Sequence, residues 1–201
     1  MQRGKLLVIS GPSGVGKSTA IEGMRKKHPD MYFSVSATTR EMRSGDKDGV
    51  TYHFKTREEF RQMIADGAFY EYAEYADNCY GTPRAPVDEH LEKGLDVIMD
   101  IDVQGALQIK ERCEDAVLIF LVAKSFSVIE ARLRGRGDTS EKDMEKRLNK
   151  ARWEYSQADK YHYIVVSDTP ERTVHDIDCI LRAEKLRSSR NTHLLEMEES
   201  L

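Results

Sequence analysis

Leu6-Leu7-Val8-Ile9-Ser10-Gly11-Pro12-Ser13-Gly14-Val15-Gly16-Lys17-Ser18 is the stretch whose reading decides the fold. Its first five residues form a short, almost continuously apolar run, the pattern of a strand buried on both faces. The next eight match G-x-x-x-x-G-K-[ST] in full, and residues 17 to 27 read as a helix that Pro29 stops. Strand, glycine loop and helix in that order separate a phosphate-binding loop from a chance match. Glycines at 11, 14 and 16 allow positive φ, so that the loop turns its N–H groups inward onto phosphate oxygens. Lys17 adds a point charge for the β and γ phosphates, and Ser18 a hydroxyl for Mg²⁺. Behind them the helix aims its positive end at the same anion. Gly11, Pro12, Ser13, Gly14, Val15, Gly16, Lys17 and Ser18 are therefore the expected ATP-binding residues.

Working outward, three further apolar runs follow, at residues 95 to 99, 116 to 122 and 163 to 166. Amphipathic helical segments separate them: one to about Arg112, one after Ser125 as a candidate cap, one over 141 to 158, and one opened by Thr169-Pro170. Apolar runs alternating with helices predict a parallel sheet covered on both faces. The expected class is α/β, a P-loop NTPase three-layer α/β/α core. Residues 34–90 interrupt the alternation with short strands and turns, and Thr56 and Glu59 form a capping box there. They read as an inserted lobe, leaving 1–33 and 91–201 as the core. The tail after Arg187 is polar and is expected to fray.

The chain has 201 residues, 39% of them hydrophobic, enough for one compact domain with a real core. A net charge of −4 argues against general binding to a nucleic-acid backbone. No stretch approaches the roughly 18 apolar residues that cross a bilayer, and the N-terminus runs straight into a strand, so neither membrane nor export is expected. Three scattered cysteines form neither a disulfide framework nor a zinc pattern and are expected as reduced thiols in the cytoplasm. The glycine loop alone leaves kinases, switch GTPases and ATP-driven machines open. No Asn-Lys-x-Asp segment of the kind that reads guanine in GTPases occurs, and the short chain favours a small-molecule kinase.

An ordered set of motifs narrows this choice. Residues 33–40 read Phe-Ser-Val-Ser-Ala-Thr-Thr-Arg, followed by Arg43, then Tyr52-His53-Phe54, Phe69-Tyr70-Glu71, Tyr80-Gly81-Thr82 and Asp100-Ile101-Asp102-x-Gln104-Gly105. From about Leu6 to Arg187 the chain resembles the guanylate kinase family, the nucleoside monophosphate kinases that move the γ-phosphoryl group of ATP to GMP. The resemblance implies that Arg40, Arg43, Tyr52 and Tyr80 hold the GMP phosphate; forked guanidinium groups suit phosphate oxygens. Glu71 is the candidate reader of guanine, because a carboxylate accepts from N1–H and N2–H₂ side by side, whereas adenine presents an acceptor at N1. Ser36 and Thr82 are expected to donate to O6, and Asp102 to help at N2. Asp100 stands where a Walker-B-type carboxylate belongs, with two roles open: ordering water around Mg²⁺, or orienting Arg40 or Arg43.

In the family a mobile segment, here about 126–158, closes over the ATP phosphates, and Arg132, Arg136 and Arg147 are the matching positions. Lys17, Arg40, Arg132, Arg136 and Arg147 are thus the implied catalytic residues, with Mg²⁺ as cofactor and ATP and GMP, with dGMP, as partners. Oligomeric state has no signature in the sequence. Departures from the family pattern are Met42 and Ser44-Gly45-Asp46 around the arginines, Cys79, and Ser167-Asp168 near the adenine pocket. Two rival readings compete with this one. A peptide-binding scaffold module of the same shape typically loses the intact glycine loop, and a kinase for a phosphorylated sugar has no need of Glu71, Ser36 and Thr82 together.

Overall fold

A computed structural model describes residues 2–75, 77–135 and 141–195. The chain runs β1 (Leu6–Ser10), α1 (Lys17–Lys27), β2 (Tyr32–Phe33), β3 (Ala37–Thr38), β4 (His53–Phe54), α2 (Arg57–Ala65), β5 (Phe69–Tyr75), β6 (Asn78–Pro83) and α3 (Arg84–Glu92). It continues through β7 (Val97–Asp100), α4 (Val103–Arg112), β8 (Val117–Val122), α5 (Phe126–Arg134), α6 (Glu141–Tyr155), β9 (Tyr163–Val166), α7 (Pro170–Lys185) and α8 (Ser188–Asn191).

Five strands form one parallel sheet in the order β2-β7-β1-β8-β9. Alternation along the strands divides its side chains between two cores. Leu7, Ile9, Ile98, Ile119 and Leu121 pack with residues of α1, α5, α6 and α7, while Leu6, Val8, Val97, Met99, Leu118 and Phe120 pack with α3 and α4. Both faces of the sheet are therefore dry, which is why its strands read as near-continuous apolar runs. The result is the three-layer arrangement expected from the sequence. No described helix is long and apolar enough to cross a membrane.

A second sheet, β4-β3-β6-β5, is mixed: β3 pairs parallel with β4 and antiparallel with β6, and β5 pairs antiparallel with β6. Its small core is Ala37, Phe60 and Phe69, with the two rings stacked 4.6 Å apart between centroids. Helix α2 is held in place by the predicted capping box, in which the Thr56 hydroxyl accepts from the Glu59 N–H and the Glu59 carboxylate from the Thr56 N–H.

Two expectations fail. Ser125 occupies the N-cap position of α5 but makes no capping bond, because its hydroxyl pairs with that of Ser127 at 2.7 Å. The tail after Arg187 is anchored and not frayed as far as Asn191, and residues 196–201 lie outside the described residues. The Arg190 guanidinium reaches Asp115 at 2.8 Å and the Arg3 carbonyl, and the Arg190 carbonyl accepts from Gln2. A polar segment gave no hint of these long-range bonds.

Phe60→Ala removes half of the stacked pair and should cost about 3–5 kcal/mol of stability, read from chemical denaturation. Because Phe69 begins the strand that carries Glu71, protease sensitivity of the second sheet is expected to rise with it.

Candidate active site

Parallel pairing of β1 with β7 sets Ile9 opposite Asp100, so the glycine loop and Asp100 leave the sheet side by side at its carboxyl edge. Open α/β sheets bind ligands at this edge. Gly11, Gly14 and Gly16 have φ of 147°, 83° and 109°, the left-handed range the loop was expected to need. At Gly16 a Cβ would lie 2.8 Å from Ser167 Oγ, so the close approach of that segment also depends on glycine.

The loop lines a cleft of about 560 Å³ together with Arg132, Ser167, Asp168 and Pro170. Lys17 folds back so that its Nζ donates to the Gly11 carbonyl at 2.6 Å. Burial lowers the pKa of this ammonium, and the nearby carboxylates of Asp100, Glu154 and Asp102 oppose that shift. Arg132, on the last turn of α5, donates to the Gly14 and Val15 carbonyls at 3.2 and 3.0 Å. Of the other expected lid arginines, Arg147 is exposed on α6, and Arg136 lies outside the described residues. Ser18 opens into the same cleft.

A second cavity, about 370 Å³, lies beside Asp100 and is lined by Ser36, Tyr52, Glu71, Tyr80 and Asp102, all named from the sequence, together with Ala73, Tyr75, Ile101 and Lys150. Glu71 is its most constrained member, only 5% exposed. Thr82 donates its hydroxyl to Glu71 Oε1 at 2.7 Å. Burial raises the Glu71 pKa to about 7, against the pull of the Thr82 bonds. Thr82 itself is fully buried, so in this structure its proton is committed to Glu71 rather than to the cavity.

Gly105 closes the last of the ordered motifs with no role legible in the sequence, and the structure supplies one. A Cβ there would fall 2.6 Å from Glu71 Oε2. Gly105 sits in the first turn of α4, where its N–H donates to the Asp102 carboxylate at 3.0 Å, the N-cap bond of that helix. Asp102 is thus a cap as well as a cavity residue. Asp100 lines the acceptor cavity at the end of β7, close enough to Lys17 to feel its charge; the surrounding protein raises its pKa, and Lys17 opposes the rise.

Arg40 and Arg43 line a neighbouring cleft with Thr39, Arg57 and Asn78 rather than the cavity of Glu71. Arg40 is paired with Asp46 at 2.9 Å, and its guanidinium lies 5.4 Å from the centroid of the Tyr52 ring. Asp46 also accepts from the Arg43 N–H, which holds its carboxyl below the usual range. Asp46 belongs to the departure noted in the sequence and here occupies the arginine that was expected to take a phosphate. Tyr52 and Tyr80 meet edge to face, 6.0 Å between centroids.

Comparison with known proteins points one way. The guanylate kinase family model matches residues 3–184. Guanylate kinase of Carboxydothermus hydrogenoformans is 43% identical over 198 residues, covering 98% of this chain and 97% of that protein. The Clostridium perfringens enzyme of the same name is 46% identical, covering 98% and 92%. The crystal structure of guanylate kinase from Anaplasma phagocytophilum superposes with a TM-score of 0.79 at 33% identity, covering 100% of this chain and 97% of the other.

The raised pKa of Glu71 has a consequence for stability. The folded state holds this proton more tightly than the unfolded chain, whose glutamate titrates near its ordinary value of 4.5. Ionisation therefore costs stability progressively as pH rises from about 4.5 through 7, by at most about 3 kcal/mol. Glu71→Gln is expected to raise the melting temperature at pH 8 and leave it nearly unchanged at pH 4. Gly105→Ala should do the opposite, lowering stability by displacing the carboxylate.

Proposed function

We infer that this chain, which belongs to the guanylate kinase family, transfers the γ-phosphoryl group of ATP to GMP, giving ADP and GDP. The observation that carries the acceptor assignment is Glu71, a carboxylate buried in a 370 Å³ cavity that is also lined by Asp100, at the end of the strand next to the one that feeds the glycine loop. A buried acceptor pair of this kind matches the N1–H and N2–H₂ edge of guanine and meets a lone pair at N1 of adenine. A site built on such hydrogen bonds rejects the wrong analogue by about 10⁴.

In this reading the residues divide the work. The loop N–H groups and Lys17 hold the phosphates of ATP, and Arg132 and Arg147, with Arg136, add charge from above. Lys17 leaves the Gly11 carbonyl for the phosphates when ATP enters. Arg40 exchanges Asp46 for the GMP phosphate and, with Arg43, Tyr52 and Tyr80, fixes it. Ser36 and Asp102 flank the base, and Thr82 keeps the Glu71 carboxylate aimed. The GMP phosphate has a second pKa near 6, so it is mostly dianionic at neutral pH and needs no general base. The obstacle is repulsion between two polyanions, which the cations offset; closure over the phosphates excludes the water that would otherwise accept the phosphoryl group.

Mg²⁺ fits the donors present. Ser18 offers a hydroxyl and Asp100 a carboxylate at the same edge. Magnesium prefers such a sparse oxygen set, completed by waters and substrate phosphates. Bound there, it supplies charge neutralisation at the β and γ phosphates. Either role for Asp100 draws on its place in the acceptor cavity, close enough to Lys17 to feel its charge. dGMP is proposed as a second acceptor. A cytoplasmic setting is proposed from the free thiols of Cys79, Cys113 and Cys179.

A coupled ATP-consumption assay with GMP, AMP, UMP and a ribose bisphosphate tests the reading. GMP is expected to turn over with kcat/KM at least about 10³-fold above AMP; equal rates would overturn the role of Glu71. Glu71→Gln places an amide donor against the N–H edge and should lower kcat/KM for GMP by about a hundredfold or more. Lys17→Ala should abolish turnover while GMP binding, followed by calorimetry, persists.

A further inference from the structure

Lys150 has no part in the reaction as described above, yet it stands on the wall of the acceptor cavity. Among the described residues lining that cavity it is the one cation, facing a set that includes Glu71, Asp100 and Asp102. It belongs to α6, the helix that carries Arg147. Its Nζ lies 4.6 Å from the centroid of the Tyr75 ring and 4.0 Å from Glu154 Oε1. Glu154 is buried on the same helix, one turn further on, and is the ammonium's loose ion-pair neighbour. Tyr75 lies on β5 in the other sheet. Along β5 the two-residue period brings Glu71, Ala73 and Tyr75 to the cavity side, from the buried carboxylate to an exposed ring at the rim. Lys150 therefore joins the helix bearing a transfer arginine to the outer end of the strand that reads the base.

We propose that Lys150 is a positioning residue for the acceptor nucleotide, clamping α6 to the cavity rim through Tyr75 and thereby setting Arg147 over the phosphates. The proposal rests on the guanylate kinase reading and deepens it. Arg147 and Lys150 are three residues apart and so lie on neighbouring positions of one helix surface. Fixing one of them fixes the approach of the other. A base seated in the cavity takes water from its rim, where Lys150 is the one cation among the described lining residues. An ammonium over a ring face contributes modestly when exposed and more when desolvated, so the contact strengthens as the cavity fills.

The test is steady-state kinetics of the full chain with Lys150→Ala, Lys150→Arg, Tyr75→Ala, Tyr75→Phe and the double alanine variant. The side chain of Lys150 and the residue Tyr75 are 42% and 61% exposed, so neither truncation empties a core. Lys150→Ala and Tyr75→Ala should each raise KM for GMP about five- to tenfold and lower kcat severalfold. Lys150→Arg and Tyr75→Phe keep a cation over a ring and should restore both constants. The double variant should be no worse than either single one, the mark of a shared contact. Affinity for a non-hydrolysable ATP analogue without GMP should stay within about twofold. Multiplicative effects in the double variant, an equal loss of analogue affinity, or constants unchanged in the alanine variants would each overturn the clamp. A parent chain that fails to prefer GMP over AMP sinks the reading beneath it; a parent that prefers GMP, with variants indistinguishable from it, sinks the clamp alone.

Discussion

The site depends on the parallel pairing of β1 with β7. That register sets Ile9 opposite Asp100 and releases two connections at the same edge of the sheet, one into the glycine loop and one into α4. The loop then presents its amides and Lys17, and the start of α4 presents Asp102 and Gly105. Had β7 slipped by one residue, the side chains of Ile98 and Met99 would exchange faces, and the two dry cores could not both close. The packing of an apolar sheet thus fixes the distance between the two halves of a polar site.

The second sheet adds a buried carboxylate to that edge. Glu71 is held among Thr82, Gly105 and Asp102 at an energetic cost visible in its raised pKa of about 7. Burial that disfavours its charge also removes competing water, so a ligand with two donors side by side meets an acceptor pair that little else satisfies. The same trade recurs at Arg40, which Asp46 holds in reserve, and at Lys17, which rests on the Gly11 carbonyl. Each charge has a partner within the chain in the absence of substrate.

Much of the fold was legible because its signals are local. Apolar runs announced the strands, the Thr56–Glu59 spacing announced the cap of α2, and glycines at 11, 14 and 16 announced left-handed turns that the structure contains. The cavity residues Ser36, Tyr52, Glu71, Tyr80 and Asp102 were named from ordered motifs and meet around one space. Ser125 misled because its hydroxyl found Ser127 instead of the helix amides. The tail misled because Arg190 is anchored by Asp115, distant in sequence. Thr82 was expected to face the ligand and faces Glu71, a choice set by the antiparallel register of β5 and β6. Lys150 passed unnoticed, since a lysine on a charged helix is usually only solvated.

The sequence by itself determined the phosphate loop, the alternation of strand and helix, and the chemical types gathered for a purine nucleotide, since each follows from neighbours a few residues apart. Only the tertiary structure decided which of those groups are charged, occupied or adjacent. The clearance at Gly105 for the Glu71 carboxylate, the hold of Asp46 on Arg40, and the bridge from Lys150 to Tyr75 depend on burial and on contacts across sheets and helices, and those arise when the chain packs.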